Sequence, residues 1–190
     1  VGIVILDSVN RDVIDRYDRI QIFPAKHYLA PENIVKKALS EIERDLEKRL
    51  AEFRKEGKIL EAERLSRKTR YDLEMIQSVG YCNGIENYSR YFDGRAPNEP
   101  PYTLIDYFKM KYGDDFLLVI DESHVTVPQL NGMYAGDKSR KDMLINYGFR
   151  LPSALDNRPL KFAEFEKMVK KAIYVSATPA KYEIEKSKGQ

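Results

Sequence analysis

Cysteine is nearly absent from this 190-residue chain. Cys82 stands alone, so no internal disulfide can form and packing has to hold the fold, as suits a reducing cytoplasm. An excess of charge of one sign is absent too. Lys plus Arg number 32 against 30 for Asp plus Glu, a net +2, which excludes a globally basic nucleic-acid coat and confines any DNA or RNA contact to local patches. No apolar run approaches a membrane span, and the opening stretch from Val1 to Leu6 is too short for a signal peptide. The phosphate-cradling loop Gly-x-x-x-x-Gly-Lys-Ser/Thr occurs nowhere. Repeats and low-complexity tracts are also missing, and the chain begins with valine rather than methionine, which points to a piece of a longer protein.

What is present is organised around one stretch, Phe116-Leu117-Leu118-Val119-Ile120-Asp121-Glu122-Ser123-His124. Five large apolar residues in a row predict a strand buried on both faces, as in the middle of a parallel sheet. Ligands of such sheets sit beyond the carboxyl ends of the strands, where Asp121 and Glu122 would project. A second run, Ala172-Ile173-Tyr174-Val175, ends in Ser176-Ala177-Thr178-Pro179. Between the two lie a polar, glycine-containing run from Val125 to Arg140 and two loops, Gly148 to Pro152 and Asp156 to Pro159. A short helix follows, with Phe162, Phe165, Met168 and Val169 inward. Strand, helix and strand in that order make a parallel crossover, and the two strand ends become neighbouring fingers of one phosphate-handling site.

Upstream, Val1 to Asp7 and Arg19 to Pro24 have strand-like composition, with Val9 to Arg16 as a connection. Ala30-Pro31-Glu32 then opens a helix. Val35, Leu39, Ile42, Leu46, Leu50 and Phe53 form an apolar stripe at helical spacing, and after Gly57 a second helix carries Ile59, Leu60, Leu65, Leu73, Ile76 and Val79 up to Gly80. The result is a long, charged helical hairpin, most of which reads as solvated surface. Arg64, Arg67, Lys68 and Arg70 crowd within two turns beside Tyr71, a local patch of the kind that meets a phosphate backbone. From Tyr81 to Tyr107 periodicity is lost and a loop is expected around Asp93 to Pro101. Its tyrosines, at 81, 88, 91, 102 and 107, either stack on bases or fill half-buried boundaries.

An acidic pair after a buried strand has a defined use in nucleotide hydrolysis: the first carboxylate holds Mg²⁺ through water and the second polarises the attacking water. Asp121 and Glu122 fit those roles, with Ser123 and His124 relaying the state of the γ-phosphate. Glu122 and His124 sharing a structural metal is disfavoured, since the only other histidine is His27. Together with Ser176-Ala177-Thr178-Pro179 about fifty residues on, Asp121-Glu122-Ser123-His124 resembles motifs II and III of superfamily 2 helicases.

Three longer stretches are more specific: Tyr81-Cys82-Asn83-Gly84-Ile85-Glu86-Asn87-Tyr88-Ser89-Arg90, Asp121 to Leu130, and Gly148-Phe149-Arg150-Leu151-Pro152 continuing to Leu160. From about Phe23 onward the chain resembles the UvrB family of bacterial excinuclease subunits. The resemblance implies an α/β fold: part of a P-loop NTPase, RecA-like helicase motor with parallel strands, plus an inserted helical subdomain containing the long hairpin. It implies a division into residues 1–24 (the end of a UvrA-interacting region), 25–112 (helical subdomain) and 113–190 (motor part with motifs II and III). It further implies a cytoplasmic nucleotide-excision-repair protein with ATP and Mg²⁺ as cofactors. Such a protein receives damaged DNA from UvrA, verifies the lesion by ATP-dependent strand probing and recruits UvrC. On this likeness Asp121 and Glu122 are catalytic, with Asp121 the Mg²⁺ ligand through water. Ser123, His124, Ser176 and Thr178 couple nucleotide state to DNA, and Lys68, Arg70 and Arg150 contact DNA. Lys68 stands where the family pattern expects arginine, which keeps the charge and loses the planar fork. With the phosphate loop, the second motor domain and its arginine fingers all missing, the chain carries half of an ATP site. The competing reading is a non-catalytic nucleic-acid or protein interaction module in which the acids are structural.

Overall fold

The computed structural model describes residues 2–20 and 30–188. The first element is an antiparallel ribbon, β1 (Ile3–Leu6) and β2 (Val13–Tyr17), with Ile3 opposite Tyr17 and a register irregularity between Ile5 and Leu6. The Asp7 carboxylate accepts the N–H groups of Val9 and Asn10 and so shapes the turn; those two bonds also hold it below the usual carboxylate range. The expected connection from Val9 to Arg16 is half met: residues 9–12 form the turn, and Val13 to Arg16 belong to β2. Every residue of β2 is exposed, so no burial pattern marked it. Arg19 and Ile20 are not strand, residues 21–24 of that expectation fall outside the described residues, and so does His27.

The helical hairpin forms as the stripe predicts. α1 (Glu32–Lys55) starts after Pro31, carries Glu32 in its first turn and Arg54 and Lys55 in its last, each matching the helix dipole. Gly57, at φ +75°, makes the turn, and α2 (Ile59–Val79) ends at Gly80 in the left-handed region, whose N–H bonds to the Ile76 carbonyl at 2.9 Å. Ile42, Leu46, Leu50 and Phe53 meet Leu65 and Ile76 in the main core. Each such side chain contributes about 1.5–3 kcal/mol by leaving water. The outer positions Ile59, Leu60 and Val79 are exposed, and Ala62, Thr69 and Asp72 take the inward places instead.

After Gly80 come short helical pieces, and the loop expected around Asp93 to Pro101 is there, running from Gly94 to Thr103 between two of them. A 3₁₀ turn over Ile85–Tyr88 runs into α3 (Ser89–Asp93), which packs on α1, and α4 (Leu104–Tyr112) opens with a Thr103 cap whose hydroxyl and N–H both bond Asp106. The tyrosines divide. Tyr88 and Tyr91 are buried against the hairpin, whereas Tyr81, Tyr102 and Tyr107 face solvent.

β3 (Leu118–Ile120) is followed by α5 (Ser123–Asn146), a 24-residue helix where the sequence shows only a polar run. Pro128, Gly132 and Gly136 lie inside it and argue for a loop by propensity, but the helix is held at its two ends, where Ser123 and Val127, then Lys141 and Ile145, are buried. A 3₁₀ turn over Pro152–Asp156 leads to α6 (Phe162–Met168), with Phe165 buried, and then to β4 (Ala172–Tyr174) and α7 (Lys181–Lys186). β3 and β4 pair in parallel, Leu118 opposite Ala172 and Ile120 opposite Tyr174. The expected burial on both faces is not met. Leu118, Ile120, Ala172 and Tyr174 turn inward, while Val119, Ile173 and Val175 are exposed, because this sheet has two strands among the described residues and one covered face. No helix among those residues is long and apolar enough to cross a membrane.

One close approach joins the two halves. Gly148, at φ +70°, lies so near α2 that a Cβ there would sit 2.3 Å from the Glu61 carbonyl oxygen. Beside it the Arg64 guanidinium donates to the Tyr147 carbonyl oxygen at 2.5 Å and covers the Phe149 ring at 4.4 Å. Gly148→Ala is expected to destabilise the protein by about 3 kcal/mol or more, from left-handed strain plus a backbone clash. Gly57→Ala, whose Cβ would enter open space, should cost only about 1–2 kcal/mol. Urea unfolding of the two variants measures the difference; equal losses would remove the close approach as a determinant of stability.

Candidate functional site

The parallel register brings the two sequence-predicted strand ends together. Val175 donates its N–H to the Ile120 carbonyl at 2.9 Å, and Ser123 donates its own to the Val175 carbonyl at 3.0 Å, so the ladder continues past both strands. His124 Nδ1 and Ser176 Oγ then meet at 2.8 Å, and Ser176 Oγ also accepts the N–H of Thr178 at 3.1 Å. Glu122 Oε2 lies 3.4 Å from the same His124 nitrogen. Ser176 therefore binds the imidazole on one side and its own loop on the other.

The acidic turn is unusual in its backbone. Glu122 adopts φ +45°, left-handed for a residue with a Cβ, and its carbonyl accepts the N–H groups of Val125 and Thr126 to start α5. Such a conformation costs of order 1–3 kcal/mol and marks a turn that its surroundings impose. Asp121 Oδ1 caps the Glu122 N–H at 3.0 Å, and Thr126 Oγ1 bonds the Asp121 carbonyl at 3.0 Å. Both carboxylates remain exposed beyond the strand. Ser123, between Glu122 and His124, is wholly buried. Among the described residues no group of three or more His, Cys, Asp or Glu side chains gathers as a metal site by itself, so an ion here would complete its shell with water or ligand oxygens.

The residues expected to touch DNA are not gathered in one place. Lys68 pairs with Asp72, a buried carboxylate that also accepts the Tyr88 hydroxyl at 2.8 Å. Arg70 is engaged by Glu47 on α1 at 2.6 Å, across the hairpin, with both side chains about half exposed. Arg150 makes no ion pair among the described residues and lines a cavity of about 440 Å³ with Glu86, Asp137, Arg140, Lys141 and Arg158. Arg64, Arg67, Lys68 and Tyr71 surround a second hollow of about 390 Å³ closed by Phe149.

Behind Arg150 a polar network was not legible in the sequence, because its members are far apart along the chain. Arg90 pairs with Asp45 at 2.7 Å and with Asp156 at 3.2 Å, and Tyr91 donates to the same Asp45 carboxylate; burial pushes its phenol up to about 12. Arg95, on the adjoining loop, donates to the carbonyls of Glu99 and Asp156 and to Ser89 Oγ. Arg158 forks onto both oxygens of Glu164 at 2.7 and 2.8 Å. Cys82 is a buried neighbour of this core with its thiol pushed up to about 12 by desolvation, which makes it inert. One buried acid was missed outright: Glu183 on α7, whose carboxyl is held below its usual range with the Ser123 hydroxyl as the main influence. Its only sequence signal is an acid at the third position of a helix, whose carboxylate reaches back to the Ala180 N–H at 3.1 Å.

Comparison with known proteins gives the same resemblance as the motifs. The family described as the UvrB third helical domain matches residues 33–94, which cover α1 except its first residue, α2 and α3. UvrABC system protein B of Synechococcus sp. (strain JA-2-3B'a(2-13)) is 55% identical over 189 residues, 100% of this chain and 27% of that protein. The proteins of the same description from Caldicellulosiruptor bescii and Geobacillus kaustophilus are 56% identical over 181 residues and 54% over 184, covering 95% and 97% of this chain and again 27% of each relative. The chain thus spans about a quarter of the length of the curated relatives it matches.

The Arg158 fork holds the Glu164 carboxyl at about 2, well below its usual range. A carboxylate depressed in the folded state stabilises above its unfolded value, about 4.3, and loses that contribution as pH falls toward the folded value. Glu164→Gln should therefore be less stable than the parent sequence at pH 7 by about 1–2 kcal/mol, after allowing for solvent screening of a partly exposed pair. The gap should close between about pH 4.3 and 2. Unfolding midpoints across that range test it; a gap that does not vary with pH would detach Glu164 from acid stability.

Proposed function

We propose that this chain, similar along its whole length to about a quarter of UvrABC system protein B, is the piece of a DNA-repair motor that carries the water-activating half of its nucleotide site. The observation that carries the reading is the 2.8 Å contact between His124 and Ser176, which joins the acidic strand end to the Ser-Ala-Thr strand end. In this reading residues 113–190 are motor, 25–112 are the helical subdomain, and 1–24 close a region that meets UvrA. The parent protein is a cytoplasmic, DNA-dependent ATPase of nucleotide excision repair that takes damaged DNA from UvrA and recruits UvrC for incision.

Asp121 and Glu122 supply hard oxygen donors at the mouth of the sheet, which suits Mg²⁺, an ion that keeps several waters and binds through one or two carboxylates plus phosphate. Bound there, the ion would neutralise charge developing on the phosphoryl group. Asp121, capping the turn, is the residue to hold it through water. Glu122 projects from a turn fixed in the left-handed region and orients the attacking water. His124 and Ser176 join the acidic turn to the second strand end, and Thr178 follows Ser176 through their shared hydrogen bond. The phosphate-binding loop has to come from outside this sequence.

For DNA the free cation matters more than the paired one. Arg150, without an ion pair among the described residues, is the stronger candidate; Lys68 and Arg70 would first have to leave Asp72 and Glu47. Releasing Arg70 is cheap, because an exposed pair is worth under about 1 kcal/mol.

In the full-length parent, Glu122→Ala should lower ATP turnover by on the order of a hundred-fold or more while nucleotide binding persists, since its task is water activation rather than anchoring. Turnover at the parent rate would return Glu122 to a structural role. In the same protein Arg150→Ala should weaken DNA binding about equally across sequences and flatten its dependence on salt by roughly one unit of slope. Binding constants at several salt concentrations decide this, and an unchanged slope removes Arg150 from the DNA contact.

A further inference from the structure

The peptide unit that joins Asp121 to Glu122 lies between two regular hydrogen-bonding systems. On one side the ladder of β3 and β4 ends at the Ile120 carbonyl, which accepts the Val175 N–H at 2.9 Å. On the other, the main-chain bonds of α5 begin at the Glu122 carbonyl, which accepts the N–H groups of Val125 and Thr126. The Asp121 carbonyl belongs to neither set. No backbone N–H among the described residues bonds to it, and its partner is the Thr126 hydroxyl, which donates to it at 3.0 Å. The N–H of the same peptide unit, that of Glu122, is taken by Asp121 Oδ1 at 3.0 Å. Both polar ends of one peptide plane are therefore tied by side chains, where the main chain ties neither.

The plane is held in its costly orientation. Glu122 has φ +45° and ψ +48°, a conformation that a residue with a Cβ ordinarily avoids. Turning the plane over carries the Glu122 φ through about 180° and back to negative values, which relieves the strain. The same rotation breaks both side-chain bonds, releases the Asp121 carboxylate and shifts the Glu122 nitrogen, and with it the direction of the Glu122 side chain. A threonine inside a helix ordinarily bonds a carbonyl of that helix three or four residues back. Thr126 reaches five residues back, to a carbonyl that precedes the helix. It is fixed for this task, because its own N–H bonds the Glu122 carbonyl at 3.0 Å and its neighbour Val127 is buried. We propose that Thr126 is a positioning residue for the nucleotide site: its hydroxyl locks the Asp121–Glu122 peptide plane and so keeps the two carboxylates in place relative to one another. The inference rests on the ATPase reading above and extends it to a residue outside both motifs. Valine has the shape of threonine without the donor; serine keeps the donor.

The test uses the full-length parent with Thr126→Val and Thr126→Ser, measuring steady-state ATP turnover, thermal melting, and hydrogen exchange of the segment 121–126. Thr126→Val should lower kcat by about fivefold or more with KM changed by less than about threefold, the pattern of a displaced reacting group rather than lost binding. Amides of 121–126 should exchange at least about threefold faster while those of α1 and α2 are unchanged. Thr126→Ser should keep both within about twofold of the parent, since its hydroxyl still reaches the carbonyl. Parent-like turnover or parent-like exchange in Thr126→Val would overturn the proposal. So would losses that follow the melting temperature and that serine shares. If the unmodified parent fails to hydrolyse ATP, the nucleotide reading falls, and the exchange data still decide whether the Thr126 hydroxyl holds the turn.

Discussion

The parallel pairing of Leu118–Ile120 with Ala172–Tyr174 is the contact on which the candidate site depends. Parallel strands end at the same edge, so Asp121, Glu122 and His124 emerge beside Ser176 and Thr178. An antiparallel pair would set the two groups a strand's length apart, about 10 Å for three residues. The register is equally constrained. A slip of β4 by one residue would turn Tyr174 outward and Ile173 inward, and would part the Ser123 N–H from the Val175 carbonyl. Two hydrogen bonds beyond the strands, from Val175 to Ile120 and from Ser123 to Val175, lock that arrangement at the point where the polar residues begin.

From this edge α5 carries the geometry to the other half of the molecule. Its 24 residues span about 36 Å, from Ser123 at the strand-end site to the Gly148 approach against α2. Along the way Lys141, a buried cation, is held by Asp137 and by the Asn157 carbonyl. Beyond the helix the Arg158–Glu164 fork and the Arg90–Asp45–Asp156 contacts tie the returning chain to α1 and α6. A continuous set of packed and hydrogen-bonded groups therefore connects His124 to the basic face around Arg64.

The parts of the fold that could be read from sequence were those whose pattern reports burial. The α1 stripe from Val35 to Phe53 and the turn glycines Gly57 and Gly80 are of this kind, as is the polar ending of two apolar runs. α5 was hidden because Pro128, Gly132 and Gly136 oppose helix by propensity, and only tertiary anchoring at its ends overrides them. β2 was hidden because an exposed ribbon has no inward face to mark it. At the site, local motifs located Asp121, Glu122, His124, Ser176 and Thr178, but partners distant in sequence remained out of reach. Arg70 looked available in a crowd of cations and is paired with Glu47, 23 residues away on the facing helix.

The central claim is that the two strand ends form part of a working nucleotide site in a repair motor. It is tested most directly by ATP turnover of the full-length parent, with and without damaged DNA and UvrA. The account predicts hydrolysis that rises when damaged DNA and UvrA are both present, because the groups at 121–124 and 176–178 are connected through α5 to the hairpin's basic face. Absence of hydrolysis under all conditions, or a rate indifferent to DNA, would contradict it.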